Sequence, residues 1–263
     1  MLTNKSSARE SLHSPETGRK PRVGRRGAAS KSSSSKRTAG LRGFLWRTLL
    51  WIALVAASYL ALCIVGLFLL RWVDPWVTTV QVQRRVESWF VKGPYQKRHK
   101  QVPLARISVH LQHAAIASED ARFFEHHGID WKTLGKLVEE DFEEGKITRG
   151  GSTITQQLVK NLFATTHRNF VRKGLEFVLA PVAEYVLTKD RLLEVYLNNI
   201  EWGPGVFGAE AAAQFHYRTP AAQLSKEQAA RLAVCIPSPR HRKPAQMGGT
   251  AAIILARMRQ MGW

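Results

Sequence analysis

The sequence predicts a mainly α chain, one membrane-spanning helix followed by a helical domain. Three observations predict it. From Thr48 to Leu70 run 23 residues without a charged side chain, TLLWIALVAASYLALCIVGLFLL. Beyond residue 72 apolar residues recur at helical spacing. No stretch alternates apolar and polar residues convincingly. VTTVQVQRRV, residues 77–86, comes nearest to a strand and reads equally as an interfacial segment.

As a helix rising about 1.5 Å per residue, the uncharged run extends about 35 Å, enough to cross a bilayer with some tilt. It exceeds the apolar stretch of a secretory signal and meets Arg71, Trp72 and Asp74 rather than a small-residue cleavage site, so it should remain as an anchor. Arg37, Arg42 and Arg47 stand before it and only Arg71 follows closely, which orients the N-terminus to the cytoplasm. Trp46 and Trp51 at one end and Trp72 and Trp76 at the other suit the two interfaces.

The 263 residues include 39 Lys and Arg against 20 Asp and Glu, a formal charge of +19, with 44% hydrophobic residues. That excludes a wholly disordered polyampholyte and a polytopic membrane protein. Residues 1–47 hold twelve basic and two acidic residues, so much of the excess is local. Residues 1–43 are too poor in apolar surface to offset the entropy of ordering and should be a disordered basic tail. It reads either as a topogenic, solubilising tail or as a segment attracted to anionic lipid or nucleic acid. Residues 44–71 form the expected transmembrane helix and 72–263 one extracytoplasmic domain. Two cysteines, Cys63 inside the apolar run and Cys235 far from it, make neither a disulfide framework nor a Cys-based zinc site.

Within that domain, Trp131, Leu134, Leu137, Val138 and Phe142 share helical spacing, as do Ile154, Leu158 and Leu162, and Leu175, Val178, Leu179, Val182 and Val186. Leu192, Val195 and Tyr196 repeat it. Thr153 with Gln156, and Ser225 with Gln228, have the spacing of capping boxes, and Pro237 and Pro239 stop the helix that the second one starts.

Four clusters could carry chemistry. In AAIASEDARFFEHHGID an apolar helix delivers Glu119 and Asp120 beside Phe123 and Phe124, where desolvation would move a carboxylate toward general-base strength; a solvated or salt-bridged helix residue is the plainer reading. Adjacent His126 and His127 point apart and lack a third ligand, so turn hydrogen bonding suits them better than metal. In TRGGSTITQQLVKNLF the helix start, with the Ser152 and Thr153 hydroxyls, could bind an anion within reach of Lys160, while Gln156 and Gln157 could bond a sugar; capping alone explains the start equally. In RKGLEFVLAP, Arg172, Lys173 and Glu176 share one side of a helix, as a surface ion pair or as a diphosphate clamp. In KDRLLEVYLNNIEWGPGVFG, Glu194, Tyr196 and Asn198 are explained by structural support as well as by substrate contact.

Together, in this order, the clusters resemble the peptidoglycan glycosyltransferases, and the monofunctional biosynthetic branch in particular. The family's E-D-x-x-F-x-x-H-x-G is met by Glu119, Asp120, Phe123, His126 and Gly128, and its G-G-S-T-x-T-Q-Q by residues 150–157. Its R-K-x-x-E is met by Arg172, Lys173 and Glu176, and its K-x-x-hydrophobic-L-E-x-Y-L-N by residues 189–198. RLAVCIPSP, residues 231–239, is a looser match. The S-x-x-K of an appended penicillin-binding domain occurs only at Ser33–Lys36, in the low-complexity tail, so no crosslinking activity is expected.

The resemblance implies a lysozyme-like helical domain that polymerises lipid II with inversion, releasing undecaprenyl diphosphate. Glu119 is then the base, and Lys160, Arg172 and Lys173, with Arg168 or a divalent cation (Mg2+ or Mn2+), neutralise the departing diphosphate. Glu176 is the family's second essential acid, positioning the cations or holding that metal. The acidic run at residues 139–144 could also attract metal, though a solvated loop suits it better. Asp120, Arg122, Phe123, Ser152, Thr153, Gln156 and Gln157 are carried over as substrate-binding, and His126, Gly128, Glu194, Tyr196 and Asn198 as structural. No organic cofactor is expected. Expected partners are lipid II, the growing strand, membrane lipid and other cell-wall synthesis or division proteins, with no specific nucleic acid. Trp89, Phe90 and Phe123 are candidate membrane-side contacts, and the expected place is a bacterial inner membrane. A membrane-anchored muramidase or lytic transglycosylase, and a non-enzymatic envelope scaffold, are the alternatives.

Overall fold

The computed structural model describes residues 32–91, 93–144, 151–167 and 169–263. The chain divides between Val55 and Ala56 into two units. What is described of the first is the opening stretch of helix α1 (Ser32–Leu69). That helix starts inside the segment expected to be a disordered tail, because extending an existing helix costs far less than nucleating one. Residues 1–31 of the expected tail lie outside the described residues. Phe44, Trp46, Leu49 and Trp51 are exposed, as a lipid-facing surface requires. Arg42–Leu69, which holds an 18-residue stretch of mean hydropathy 2.6, is long and apolar enough to cross a membrane, and the protein is membrane-anchored.

In the second unit, the last turns of α1 bury one face. Cys63, Leu67 and Leu70, at spacings of four and three, are buried, whereas Leu62, Val65 and Leu69 face outward. The Tyr59 hydroxyl donates to the Phe163 carbonyl, and Arg191 donates through Nε to the Leu70 carbonyl at 2.8 Å. These bonds occupy two helix-end carbonyls, of Leu70 just after α1 and of Phe163 at the end of the helix over residues 154–163, that would otherwise lack partners.

Next comes α2 (Thr79–Glu87), capped by the Thr78 hydroxyl, which accepts from the Gln81 N–H at 3.3 Å. Of the two expectations for residues 77–86, the strand is thus excluded. The alternation there is outweighed by the cap and by burial of Val80 and Gln81 against the body of the unit. The chain continues through β1 (Arg98–His99), α3 (Val109–Glu119), α4 (Trp131–Glu144), α5 (Ile154–Phe163), α6 (Phe170–Val186) and α7 (Lys189–Asn199). It ends with β2 (Glu201–Gly203), β3 (Val206–Phe207), α8 (Ala209–Tyr217), α9 (Lys226–Cys235) and α10 (Gly248–Gln260). The strands form a small sheet in the order β1-β3-β2, with β1 parallel and β2 antiparallel to β3.

Residues 139–144 belong to α4, not to a loop. Both expected capping boxes are present, at Thr153/Gln156 and Ser225/Gln228. The core divides around two helices: α3 packs on α9 and α10, and α5 packs on α2, α6 and α7. The C-terminus of α3 meets the N-terminus of α5, and the functional side chains gather at that junction.

Candidate active site

The junction is closed by a carboxylate. Asp120, 7% exposed, accepts from the Ile154 N–H at the start of α5 at 2.9 Å. His126 Nε2 bonds the same carboxylate at 2.9 Å, while the Gly128 N–H donates to His126 Nδ1 at 3.2 Å. Because Nδ1 accepts, the ring carries its proton on Nε2 toward Asp120. The Thr153 hydroxyl donates to the Gly128 carbonyl at 2.6 Å and accepts from the Gln156 N–H at 3.1 Å. Gln156 answers by accepting from the Thr153 N–H at 3.1 Å. Gly128 has φ +91°, and a Cβ there would lie 2.6 Å from the Ala180 carbonyl carbon, so glycine is required twice over.

One residue back, Glu119 has a different environment. It is half-buried at the last turn of α3, and its carboxylate accepts from Gln157 Nε2 at 2.8 Å and from the Ser118 hydroxyl at 3.1 Å. Burial pushes its carboxyl above the ordinary range; the Gln157 and Ser118 bonds and the charges of Lys160 and Arg242 pull it back. Glu119 lines a cavity of about 230 Å³ together with Arg122, Ser152, Thr153 and Arg257.

A second cavity, of about 320 Å³, is lined by Ser152, Gln157, Lys160, Arg172 and Glu176, with Arg84 and Glu201 across it. Ser152 borders both cavities, and Gln157 lines the second while bonding Glu119. The base candidate and the cations therefore face adjoining space. Glu176 is buried, with Lys173 Nζ 3.1 Å from its Oε2 and Arg172 Nε 3.3 Å from its Oε1. The second contact is ionic but too poorly aligned for a hydrogen bond, so Arg172 Nε and Glu176 Oε1 are both buried without one. Lys173 Nζ also bonds the Ser152 hydroxyl at 3.1 Å. Burial lowers the Lys160 ammonium, Glu176 and Glu119 raise it, and Arg172 and Lys173 lower it further. Three cations around one carboxylate leave this cavity suited to an anion.

From its rim at Arg172 an apolar groove of about 480 Å³ runs between the last turns of α1, at Tyr59 and Leu60, and α6, at Val171, Leu175 and Val178. Among the described residues no three His, Cys, Asp or Glu side chains are grouped to hold a metal ion.

The family described as Transglycosylase matches residues 85–259, which spans the whole of this junction. The chain belongs to the transglycosylase family. It is also similar to proteins named biosynthetic peptidoglycan transglycosylase. That of Herminiimonas arsenicoxydans is 46% identical over 224 residues, covering 81% of this chain and 96% of the relative. That of Dechloromonas aromatica (strain RCB) is 45% identical over 219 residues, covering 81% and 95%. That of Pseudomonas syringae pv. tomato is 42% identical over 222 residues, covering 83% and 91%. The activity is peptidoglycan glycosyl transfer, which builds glycan strands.

In this transglycosylase the residues singled out in the sequence fall into two groups. Glu119, Ser152, Gln157, Lys160, Arg172 and Glu176 come together at the two cavities, Lys173 joins them through its bonds to Ser152 and Glu176, and Arg122 borders the first cavity while paired with Glu125 and Asp130. The others do not. Phe123 is fully buried beneath Lys189, whose Nζ lies 4.4 Å from its ring centroid, so it touches neither substrate nor membrane. Asp120, Thr153 and Gln156 are buried, and the bonds above occupy them in joining α3 to α5. The anion expected at the start of α5 is thus Asp120 itself, since its carboxylate already takes the Ile154 N–H. Glu194 accepts from the Leu104 N–H at 2.6 Å, and Asn198 exchanges two bonds with the Val102 backbone, at 3.0 and 2.8 Å. Arg168 and Gly150 lie outside the described residues.

Sequence reasoning missed Arg242 and Arg257, which reach the Glu119 region from chain beyond the motifs. Each is held by a backbone carbonyl, of Val234 and Ala117 respectively, at 2.7 Å. It also missed Glu184, which accepts from Thr155 and Lys189 at 2.6 and 2.8 Å. Basic residues are so numerous here that composition could not pick out these two arginines.

Proposed function

We propose that this protein transfers the glycan carried on one polyprenyl diphosphate to the 4-hydroxyl of a lipid II acceptor, with inversion at the anomeric carbon. Glu119 takes the hydroxyl proton as the oxygen forms its bond to carbon. The bond from that carbon to the diphosphate oxygen breaks, and the electron pair leaves with the diphosphate. A diphosphate departs as an anion, so the leaving side calls for cations rather than a protonating acid. Lys160, Arg172 and Lys173 supply them, and Glu176 holds Arg172 and Lys173 in place. A divalent cation accompanying the diphosphate would meet Glu176 Oε1 and add positive charge on that side. The apolar groove beginning at Arg172 suits the polyprenyl chain.

The observation that carries this reading is the Ser152 wall, with a desolvated carboxylate on one side and, on the other, Lys160 and Arg172 lining the second cavity and Lys173 bonded to Ser152 itself. We infer further that the N-terminus is cytoplasmic and that catalysis takes place outside a bacterial inner membrane. Exposed Trp72, Trp76, Trp89 and Phe90 suit contact with the lipid surface.

The test is incubation of the full-length protein in lipid vesicles with lipid II, reading glycan length on a gel. Wild type should make polymer, Glu119→Gln should make it about 10²–10⁴-fold more slowly, and Arg172→Ala and Lys173→Ala should slow single-turnover chemistry more than they weaken acceptor binding. Polymer from Glu119→Gln at the wild-type rate would refute the base assignment. Unchanged turnover in either cation variant would remove that residue from the leaving side.

A further inference from the structure

Tyr196 is a buried motif residue whose side chain reaches the Gln157 amide that bonds Glu119. It lies on α7 and is fully buried, and its hydroxyl donates to Gln157 Oε1 at 3.0 Å. The same amide donates through Nε2 to Glu119 Oε2 at 2.8 Å. The backbone of Gln157 is held as well, since Asn161 Nδ2 donates to its carbonyl at 2.7 Å. An amide has one accepting and one donating end, and a half-turn about its last bond exchanges them. Exchanged, the amide would present its oxygen to a carboxylate oxygen, two acceptors face to face.

We propose that Tyr196 is a positioning residue for glycosyl transfer: its buried hydroxyl fixes the orientation of the Gln157 amide, which in turn orients the Glu119 carboxylate for proton abstraction. This rests on Glu119 being the base. A phenol can do this because it stays protonated: burial, with Glu119 and Asp120 near by, holds the Tyr196 hydroxyl well above its ordinary range. A donor that kept no proton would let the amide turn. The groups facing Glu119 are Gln157 and Lys160 from α5, Ser118 from its own helix, Arg242 from the segment after α9 and, across the first cavity, Arg122 and, from α10, Arg257. Of these, Gln157 is the neutral donor whose direction depends on a third residue.

The experiment measures lipid II polymerisation by the full-length protein in vesicles as a function of pH, for wild type, Tyr196→Phe, Gln157→Leu and the double variant, with Glu119→Gln as reference. Tyr196→Phe should lower kcat by about tenfold, the scale of one hydrogen bond to a charged group, with KM little changed. It should also move the acid limb of the profile to higher pH, which a loss of packing alone would not do. In the Gln157→Leu background the same change should cost nothing further, because its effect passes through the amide. If Tyr196→Phe fails to fold, Gln157→Glu serves: a second carboxylate beside Glu119 should displace the acid limb upward more strongly still. With Glu119→Gln slowed as expected, a wild-type rate and pH profile in Tyr196→Phe, full additivity in the double variant, or an unmoved limb in Gln157→Glu would each overturn the inference and leave the base assignment standing. Glu119→Gln at the wild-type rate would overturn the base assignment itself.

Discussion

Glu119 and Asp120 are neighbours in the chain with opposite duties, and the difference lies in where each carboxylate finds its donors. Asp120 is bonded to a backbone N–H and a histidine inside the protein; Glu119 is bonded to two neutral side chains at the edge of a cavity. Burial raises the Glu119 carboxyl, so the folded protein binds that proton more tightly than the unfolded chain does. The stability this lends is fully present below the unfolded value and is lost as pH rises through the folded one. At neutral pH the ionised side chain therefore destabilises the fold. Glu119→Gln should raise the melting temperature measured by calorimetry at pH 7 while lowering turnover by about 10²–10⁴-fold, the usual worth of a general base. A lowered melting temperature would contradict this account of the carboxylate. For the same reason the acid limb of kcat/KM in the wild type should fall above the ordinary carboxylate range, and a limb within that range would count against Glu119 as base.

At the scale of elements, the approach of the segment after α3 to α6 depends on Gly128. Gly128→Ala should cost about 1–3 kcal/mol for the backbone dihedral alone, more with the overlap at Ala180, and should be measurable by urea unfolding. An alanine variant as stable as wild type would mean that α6 yields there. Helix starts were legible in the sequence where the chemistry is local: Thr153 with Gln156 and Ser225 with Gln228 lie three residues apart and need nothing distant. Strands β1, β2 and β3, two or three residues each, are too short to display an alternating pattern. α2 was obscured because Val80 and Val82 alternate with polar residues, whereas its Thr78 cap and its packing against α5 hold it as a helix. Within the site, residue types and spacing identified the cation cluster. They could not show that Asp120, Phe123, Thr153 and Gln156 turn inward, because motif membership does not distinguish a residue that holds the site from one that lines it.

For the whole molecule, α1 is both an anchor and part of the core. Its length and composition announce a membrane span, but its docking face was illegible, since Cys63 and Leu67 differ little in polarity from exposed Leu62 and Val65. Leu67→Ala should cost about 2–5 kcal/mol, as for other buried leucines, and Leu62→Ala close to nothing, read by thermal unfolding in one detergent. Equal effects of the two would mean that this stretch of α1 does not dock. A different consequence follows from α5, which carries both Gln157 and Lys160 and is preceded by Ser152. In the mechanism proposed above, one short rod sets the attacking and the departing partner at once, so a slight roll about its axis would put both out of register together. A compound that wedged beneath it would have no need to mimic either sugar, and the enzyme would keep no half-reaction in reserve.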